Sequence, residues 1–300
     1  MTTIVLGQLI YKVGVEMGVV LEGIVTGGGT TTIVDLLATG TKEFASKKDD
    51  YWNGGTAGVI WDATGAGAAP QWEFSEINDY GKTLAKLTLA SALSAAVVAG
   101  DIYYVMKRNT PARMVIQKIN SYLSGIPVET TDITTITTAS GQREYTLPGA
   151  ASLDLRSVGI QENTGDSDDN RWNYGYAWEI QKTATGSADK LVFLQQPPDG
   201  RAVELKYIAA HSPLYVYSDK LNESVHPDLV VLETCQLIIQ ASMRKDQTRE
   251  LQGDMAIFSE RITKINEENP IITTPAQVQL NTRFSSRRTR SRWPGDKSVL

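Results

Sequence analysis

Four stretches of this chain carry apolar residues at helical spacing, and long strand-rich stretches separate them. In the first stretch, 5–19, apolar side chains recur three or four residues apart, as expected of an amphipathic helix. The same spacing predicts a helix at 111–124 and a helix pair at 227–268. Each early helix has one apolar stripe and no helical neighbour in the sequence, so we expect all four to pack together.

Between the helical stretches the sequence predicts short strands joined by tight turns. Asn53-Gly54 and Pro198-Asp199-Gly200 are typical turn sequences. The predicted fold class is α+β, with a discontinuous four-helix core, two inserted antiparallel β-barrel or sandwich blocks and an extended C-terminal tail. The predicted bounds are 1–20, 109–125 and 224–269 for the helical core, 21–108 for the first β-block, 126–218 for the second and 270–300 for the tail.

The C-terminal tail is strongly basic. Its last twenty residues hold six basic residues and one acidic residue, a net charge of +5, and since the whole chain is −5, residues 1–280 carry −10. The segment has too few apolar residues to bury a core alone, so it is either a solvated end or an arm that docks on an acidic partner or nucleic acid. Aromatic residues among the arginines favour docking on a protein, and the candidate docking residues are Arg283, Phe284, Arg287, Arg288, Arg290, Arg292 and Trp293.

A second candidate site is an alternating aromatic run made of Trp172, Tyr174, Tyr176 and Trp178. Successive side chains of a strand point to opposite faces, so the four rings are predicted to project from one face. Such a row could bind sugar rings or nucleic-acid bases, or pack in a core or subunit interface. No basic residue is interspersed with the run except Arg171, which disfavours binding of nucleic-acid bases.

Motifs that carry catalytic or metal chemistry are missing. The glycines 27–29 lack the Lys-Ser or Lys-Thr pair of a phosphate-binding loop and predict a turn. The acidic run 163–170 lacks the glycine and glutamate of a calcium-binding loop, which leaves an acidic loop or an opportunistic cation site. Cys235 with His211 and His226 does not make a zinc pattern. We predict a protein that is not an enzyme and has no catalytic residues, metal or cofactor.

The sequence also bears on compartment. No run approaches the roughly 18 apolar residues of a membrane span, and the N-terminus lacks the cationic start and cleavage site of a signal peptide. With a single cysteine, no intrachain disulfide can form. The expectation is a soluble protein of a reducing compartment.

Several stretches resemble the head-to-tail adaptor (neck or connector) proteins of tailed bacteriophages. The likeness lies in the order of the elements and in loose patterns rather than in catalytic signatures. The stretches are Leu6-Gly7-Gln8-Leu9-Ile10, Thr30-Thr31-Thr32-Ile33-Val34-Asp35, Asp49-Asp50-Tyr51-Trp52-Asn53-Gly54-Gly55 and Ala99-Gly100-Asp101-Ile102-Tyr103-Tyr104-Val105.

The resemblance implies a structural virion protein at the head-tail neck, assembled in the cytoplasm of a bacterial host. Such a protein forms a homo-oligomeric ring, commonly a dodecamer, that joins the portal protein to tail or nozzle proteins and surrounds the DNA exit channel. Its C-terminal extension grips the portal. Double-stranded DNA would pass without specific binding, which suits an acidic body because acidic walls do not neutralise phosphates. The alternative is a carbohydrate-binding tail or spike module that uses the aromatic row.

Overall fold

The computed structural model divides the chain into two compact units. Unit 1 comprises residues 1–126 and 210–270, and unit 2 comprises 127–209 and 271–300. The residues described are 4–36, 47–65, 67–149, 151, 154–162, 171–183, 188–243 and 249–268. The helices in these ranges are α1 (Leu6–Glu16), α2 (Ala112–Leu123), α3 (Pro227–Met243) and α4 (Arg249–Glu268).

Unit 1 contains an antiparallel sheet of seven strands. Their order across the sheet is β1-β7-β4-β5-β6-β3-β2, and a short 3₁₀ turn, Lys82–Leu84, joins β5 to β6. The strands are β1 (Val20–Ile24), β2 (Gly27–Gly28), β3 (Thr32–Val34), β4 (Thr56–Trp61), β5 (Phe74–Gly81), β6 (Lys86–Leu89) and β7 (Ile102–Met106).

Strand β7 has buried side chains on both faces of this sheet. Tyr103 and Val105 point into an apolar core that the curled sheet encloses. Tyr104 and Met106, which alternate with them, are buried on the opposite side, and the Tyr104 ring lies 5.5 Å from the ring of Tyr11 on α1. Because both faces of β7 are covered, its residues form an almost continuous apolar run.

Helix α1 lies directly against the sheet because two of its residues are glycines. A Cβ atom on Gly7 would lie 2.0 Å from the carbonyl oxygen of Trp72, and one on Gly14 would lie 2.5 Å from Val20 Cγ2. Glycine weakens an isolated helix, but here Gly7 permits close approach to the backbone at Trp72, and Gly14 leaves room for the side chains of Val20 and Met106.

Helix α3 is the central helix of unit 1. It contacts α1, α2 and α4, and a helix with neighbours on several sides is apolar nearly all round. Its buried residues are Leu229, Val230, Val231, Leu232, Thr234, Cys235, Ile238 and Ile239.

Two ion pairs join α1 to the C-terminal helices. Lys12 Nζ lies 3.2 Å from Asp228 Oδ1 on α3. The Arg261 guanidinium on α4 donates to both carboxylate oxygens of Glu16, at 2.7 and 3.1 Å. The bidentate geometry of the second pair favours one orientation of α4 against α1.

The predicted fold class is wrong in its organisation. The chain is a mixed α/β protein with antiparallel sheets, and it does not separate a helical core from inserted β-barrel blocks. The first strand-rich stretch, 21–108, belongs to the same unit as the helices. Its Thr56 Oγ1 even accepts a hydrogen bond from the first backbone amide of α2, Ala112 N, at 2.8 Å. The physical reason is that the second face of the sheet is apolar and α1 covers it.

Unit 2 consists of two small antiparallel sheets that share one apolar core. Their strand orders are β11-β10-β14-β8 and β12-β13-β9. The chain leaves unit 1 after Ile126 and returns at Ala210, and His211 N donates to Ile126 O at 3.0 Å. The strands are β8 (Pro127–Asp132), β9 (Glu144–Thr146), β10 (Leu155–Gln161), β11 (Trp172–Asn173), β12 (Trp178–Gln181), β13 (Lys190–Phe193) and β14 (Val203–Ala210).

The adjacent tyrosines of β7 should respond differently to loss of the hydroxyl. Tyr103 Oη donates to buried Asp35 at 3.1 Å, and burial together with Asp35 raises the pKa of Tyr103. The buried hydroxyl of Tyr104 has no hydrogen-bond partner among the described residues. Tyr103→Phe should therefore lower the free energy of unfolding by about 1–3 kcal/mol, whereas Tyr104→Phe should leave it unchanged or raise it. Urea denaturation measures both, and equal losses would contradict the assignment.

Candidate interaction surfaces

The candidate tail residues, from Arg283 to Trp293, lie outside the described residues, and so does the acidic run 163–170. All residues of the aromatic run, 172–178, are among the described residues. Candidate surfaces therefore come from the exposed side chains of each unit taken separately.

The aromatic run does not form one strand. Trp172 lies in β11 and is paired with Gln161 of the four-stranded sheet. Trp178 lies in β12 and is paired with Phe193 of the three-stranded sheet. Between them the chain passes from one sheet to the other, so the alternation that predicted four rings on one face is interrupted.

Two of the four rings pack on the core of unit 2. Tyr176 and Trp178 contact the apolar cluster, and the Tyr176 ring lies 6.4 Å from the Phe193 ring in an edge-to-face arrangement. Such pairs stabilise beyond the apolar area they bury. These two residues serve packing within the unit.

Tyr174 lies on the outer face of the four-stranded sheet and is 47% exposed. Its hydroxyl donates to the Glu204 carboxylate and accepts from Lys206 Nζ at 3.1 Å. Both partners alternate along β14 with the core residues Val203 and Leu205, which places them on the opposite face. Partial burial and the bond to Glu204 raise the pKa of Tyr174, and Lys206 opposes that rise. The Tyr174 side chain is thus held by charged neighbours and is not part of a continuous row of aromatic rings.

A second surface, which the sequence did not indicate, is the loop 214–219 of unit 1. The Asn120 carboxamide on α2 binds both backbone groups of Leu214, with Nδ2 to O and N to Oδ1 each at 2.8 Å. Asp219 Oδ2 accepts from Tyr215 N at 2.6 Å and from Val216 N at 2.8 Å. The loop is held at both ends by side-chain hydrogen bonds.

These anchors leave two apolar side chains in solvent. Tyr215 is 68% exposed and Val216 is 51% exposed. Beside them, a shallow groove of about 440 Å³ runs along α2 and is lined by Arg113, Ile116, Gln117, Asn120, Ser121 and Tyr215. Apolar side chains on a fixed loop next to a groove are typical of a protein-binding surface.

The hydrogen bonds from backbone amides to Asp219 also make the anchoring of the loop depend on pH. The amides of Val216 and Tyr215 stabilise the charged carboxylate and lower the pKa of Asp219. A lowered pKa contributes stability above the ordinary pKa of the group, and that contribution is lost as the pH falls through the folded value. The loop is anchored at neutral pH and loosens in acid.

Buried carboxylates of unit 1 fix turns. Asp101 accepts from Ala63 N at 2.9 Å and from Val98 N at 2.8 Å. Glu73 accepts from Ser94 N at 2.7 Å. Each of these carboxylates replaces the backbone partners that irregular segments lack.

The thiol of Cys235 is buried on α3, with Sγ 3.9 Å from Val13 O. Burial raises the pKa of Cys235 to about 12. The reactive species of cysteine is the thiolate, so this residue is inert at neutral pH.

Compared with family models and with curated proteins, the sequence matches none of them. Within the described ranges, no three His, Cys, Asp or Glu side chains are grouped to hold a metal ion. None of the helices in that part of the chain has the length and apolar character needed to cross a membrane. Function is therefore inferred from the surfaces of the chain itself.

The anchors of the 214–219 loop can be separated by hydrogen exchange. Asp219→Ala should remove protection from the amides of Tyr215 and Val216 and leave that of Leu214, while Asn120→Ala should do the reverse. Each variant removes bonds worth about 0.5–1.5 kcal/mol apiece. Amide exchange followed by NMR at neutral pH measures the three residues, and loss of all three in both variants would mean that the anchors are not independent.

Alanine substitution should lower the free energy of unfolding by different amounts in the two aromatic environments of unit 2. Trp178→Ala removes a ring that packs on the core and should cost about 2–4 kcal/mol. Tyr174→Ala removes a ring that is 47% exposed and lies outside the core, and it should cost about 1 kcal/mol or less. Denaturant unfolding monitored on the full chain compares them, and a larger loss for Tyr174→Ala would contradict the assignment of Trp178 to core packing and of Tyr174 to the outer face.

Proposed function

We propose that this chain is a structural virion protein, a head-to-tail adaptor that assembles into a ring between portal and tail. The observation that carries the proposal is the anchored loop of unit 1, which holds Tyr215 and Val216 in solvent. Preordering reduces the entropy cost of association, and tyrosine is one of the residues enriched among the energetically dominant contacts of protein interfaces. The resemblance of several unit 1 stretches to phage adaptors supplies the identity of the assembly.

The charge distribution supports the same function. Residues 1–280 carry −10 and the last twenty carry +5. A ring of acidic subunits gives DNA little to bind, because binding gains come from neutralising phosphates. The basic tail would bind an acidic portal surface through its arginines and through Phe284 and Trp293, and would order as it binds.

The assembly implied is a ring of about twelve copies at the head-tail neck, built in the bacterial cytoplasm. Its partners are the portal protein and tail or nozzle proteins. In this proposal the chain performs no chemistry.

The carbohydrate-binding alternative receives less support. A sugar platform needs aromatic faces open to solvent, whereas Tyr176 and Trp178 pack on the core and lie in different surroundings from Tyr174. Glycan binding that disappeared in Tyr174→Ala would favour this alternative over the adaptor.

Deletion of residues 281–300 tests the role of the tail. The full chain should form rings in electron micrographs and bind portal rings of the same virus. The deletion variant should still form rings but bind the portal at least about tenfold more weakly, a loss of about 1.4 kcal/mol. Co-sedimentation with purified portal measures the affinity.

Two controls sharpen this experiment. Replacing Phe284 and Trp293 by alanine keeps the tail charge and separates aromatic anchoring from attraction by charge. Titration with double-stranded DNA at two salt concentrations tests the nucleic-acid interpretation, because phosphate binding weakens steeply with salt. A chain that stays monomeric alone and with portal would overturn the proposed function.

A further inference from the structure

Of the twelve charged residues on the helices of unit 1 whose side chains are described, six form ion pairs and six do not. Lys12 pairs with Asp228, Arg261 with Glu16 and Lys264 with Glu268. Among the other six, Arg113 on α2 and both Asp254 and Glu260 on α4 make no ion pair or side-chain hydrogen bond within the described part of the chain.

Asp254 and Glu260, two of the unpaired acids, flank an exposed apolar residue on α4. Ile257 is 56% exposed, and Asp254 and Glu260 lie three residues before and after it, on the same helix face. Phe258 and Ile262 are buried and belong to the apolar stripe of α4. We call Asp254, Ile257 and Glu260 the α4 patch, an apolar residue with a carboxylate one turn away on each side.

The groove along α2 has the complementary character. Tyr215 and Arg113, both exposed, are part of its lining, and the exposed Val216 follows Tyr215 directly in the chain. An apolar contact with an arginine opposite carboxylates is the arrangement that gives interfaces both affinity and a defined register.

The groove and the α4 patch lie on different parts of one unit. Helices α2 and α4 each pack on α3, but over their described residues they share no extensive packing with each other. Two different, complementary surfaces on one subunit form a heterologous contact, and repetition of such a contact generates a closed ring when the rotation between neighbours allows it.

We propose that the α2 groove of one copy receives the α4 patch of the next copy. Tyr215 and Val216 then contact Ile257, and Arg113 pairs with Asp254 and Glu260. This inference rests on the proposed function, since it names the surfaces through which the ring would form.

Cysteine cross-linking tests the contact directly. Tyr215→Cys and Ile257→Cys are made separately in the full chain, and a short bis-maleimide is added. The native Cys235 does not interfere, because it is buried with a pKa of about 12. A mixture of the two variants should give covalent dimers, each variant alone should give none, and a chain with both changes should give a ladder of oligomers.

A charge reversal provides a second test that does not depend on cross-linking. Arg113→Glu should weaken assembly at least about tenfold in sedimentation experiments, since three like charges then meet. Combining it with Asp254→Arg and Glu260→Arg should restore assembly. Arg108→Glu is the matched control, because this exposed arginine does not line the groove, and it should assemble like the unchanged protein.

The outcomes separate the inference from the function. Rings without a Tyr215–Ile257 cross-link, or without rescue by the reversed charges, overturn this contact and leave the adaptor proposal standing. Cross-links within Tyr215→Cys alone indicate a two-fold contact and also overturn it. A protein that is monomeric under every condition overturns both.

Discussion

The burial of α3 on several sides is the constraint on which unit 1 depends. A helix of seventeen residues that is apolar nearly all round cannot remain in solvent, and its neighbours α1, α2 and α4 come from three distant parts of the chain. The strands between α1 and α2 must therefore leave and return within the same unit. They do so as a sheet whose second face α1 covers. The α2 groove and the α4 patch keep their positions because both helices pack on this one support.

Helical spacing revealed the helices, because a period of 3.6 residues is visible in any amphipathic segment. It did not reveal that a sheet is their neighbour. Judged locally, Gly7 and Gly14 weaken a helix, and only the nearby Trp72 and Val20 show that they permit its contact with the sheet. The cap of α2 was equally hidden. The amide of Ala112, the first residue of the helix, is bound by Thr56, which is distant in sequence.

The candidate surfaces also include features that local sequence predicts and features that depend on residues distant in sequence. Alternation of aromatic residues predicts one face only while a strand continues, and nothing local shows that β11 ends at Asn173. The partners of Tyr174 lie on β14, far along the chain. Residues 214–216 fell within the predicted bounds of the second β-block, 126–218, whereas they lie in unit 1, where Asn120 on α2 binds Leu214. Composition alone indicated the basic tail, and its role stays a prediction.

The hydrogen bond between His211 and Ile126 has a consequence for how such a protein can change over time. The chain departs from unit 1 and rejoins it at neighbouring backbone positions, as it does at sites where whole domains are tolerated as insertions. Residues 127–209 can then lengthen, shorten or be exchanged for another module without disturbing the packing around α3. What residues 127–209 contact can therefore change independently of the sequence that builds unit 1.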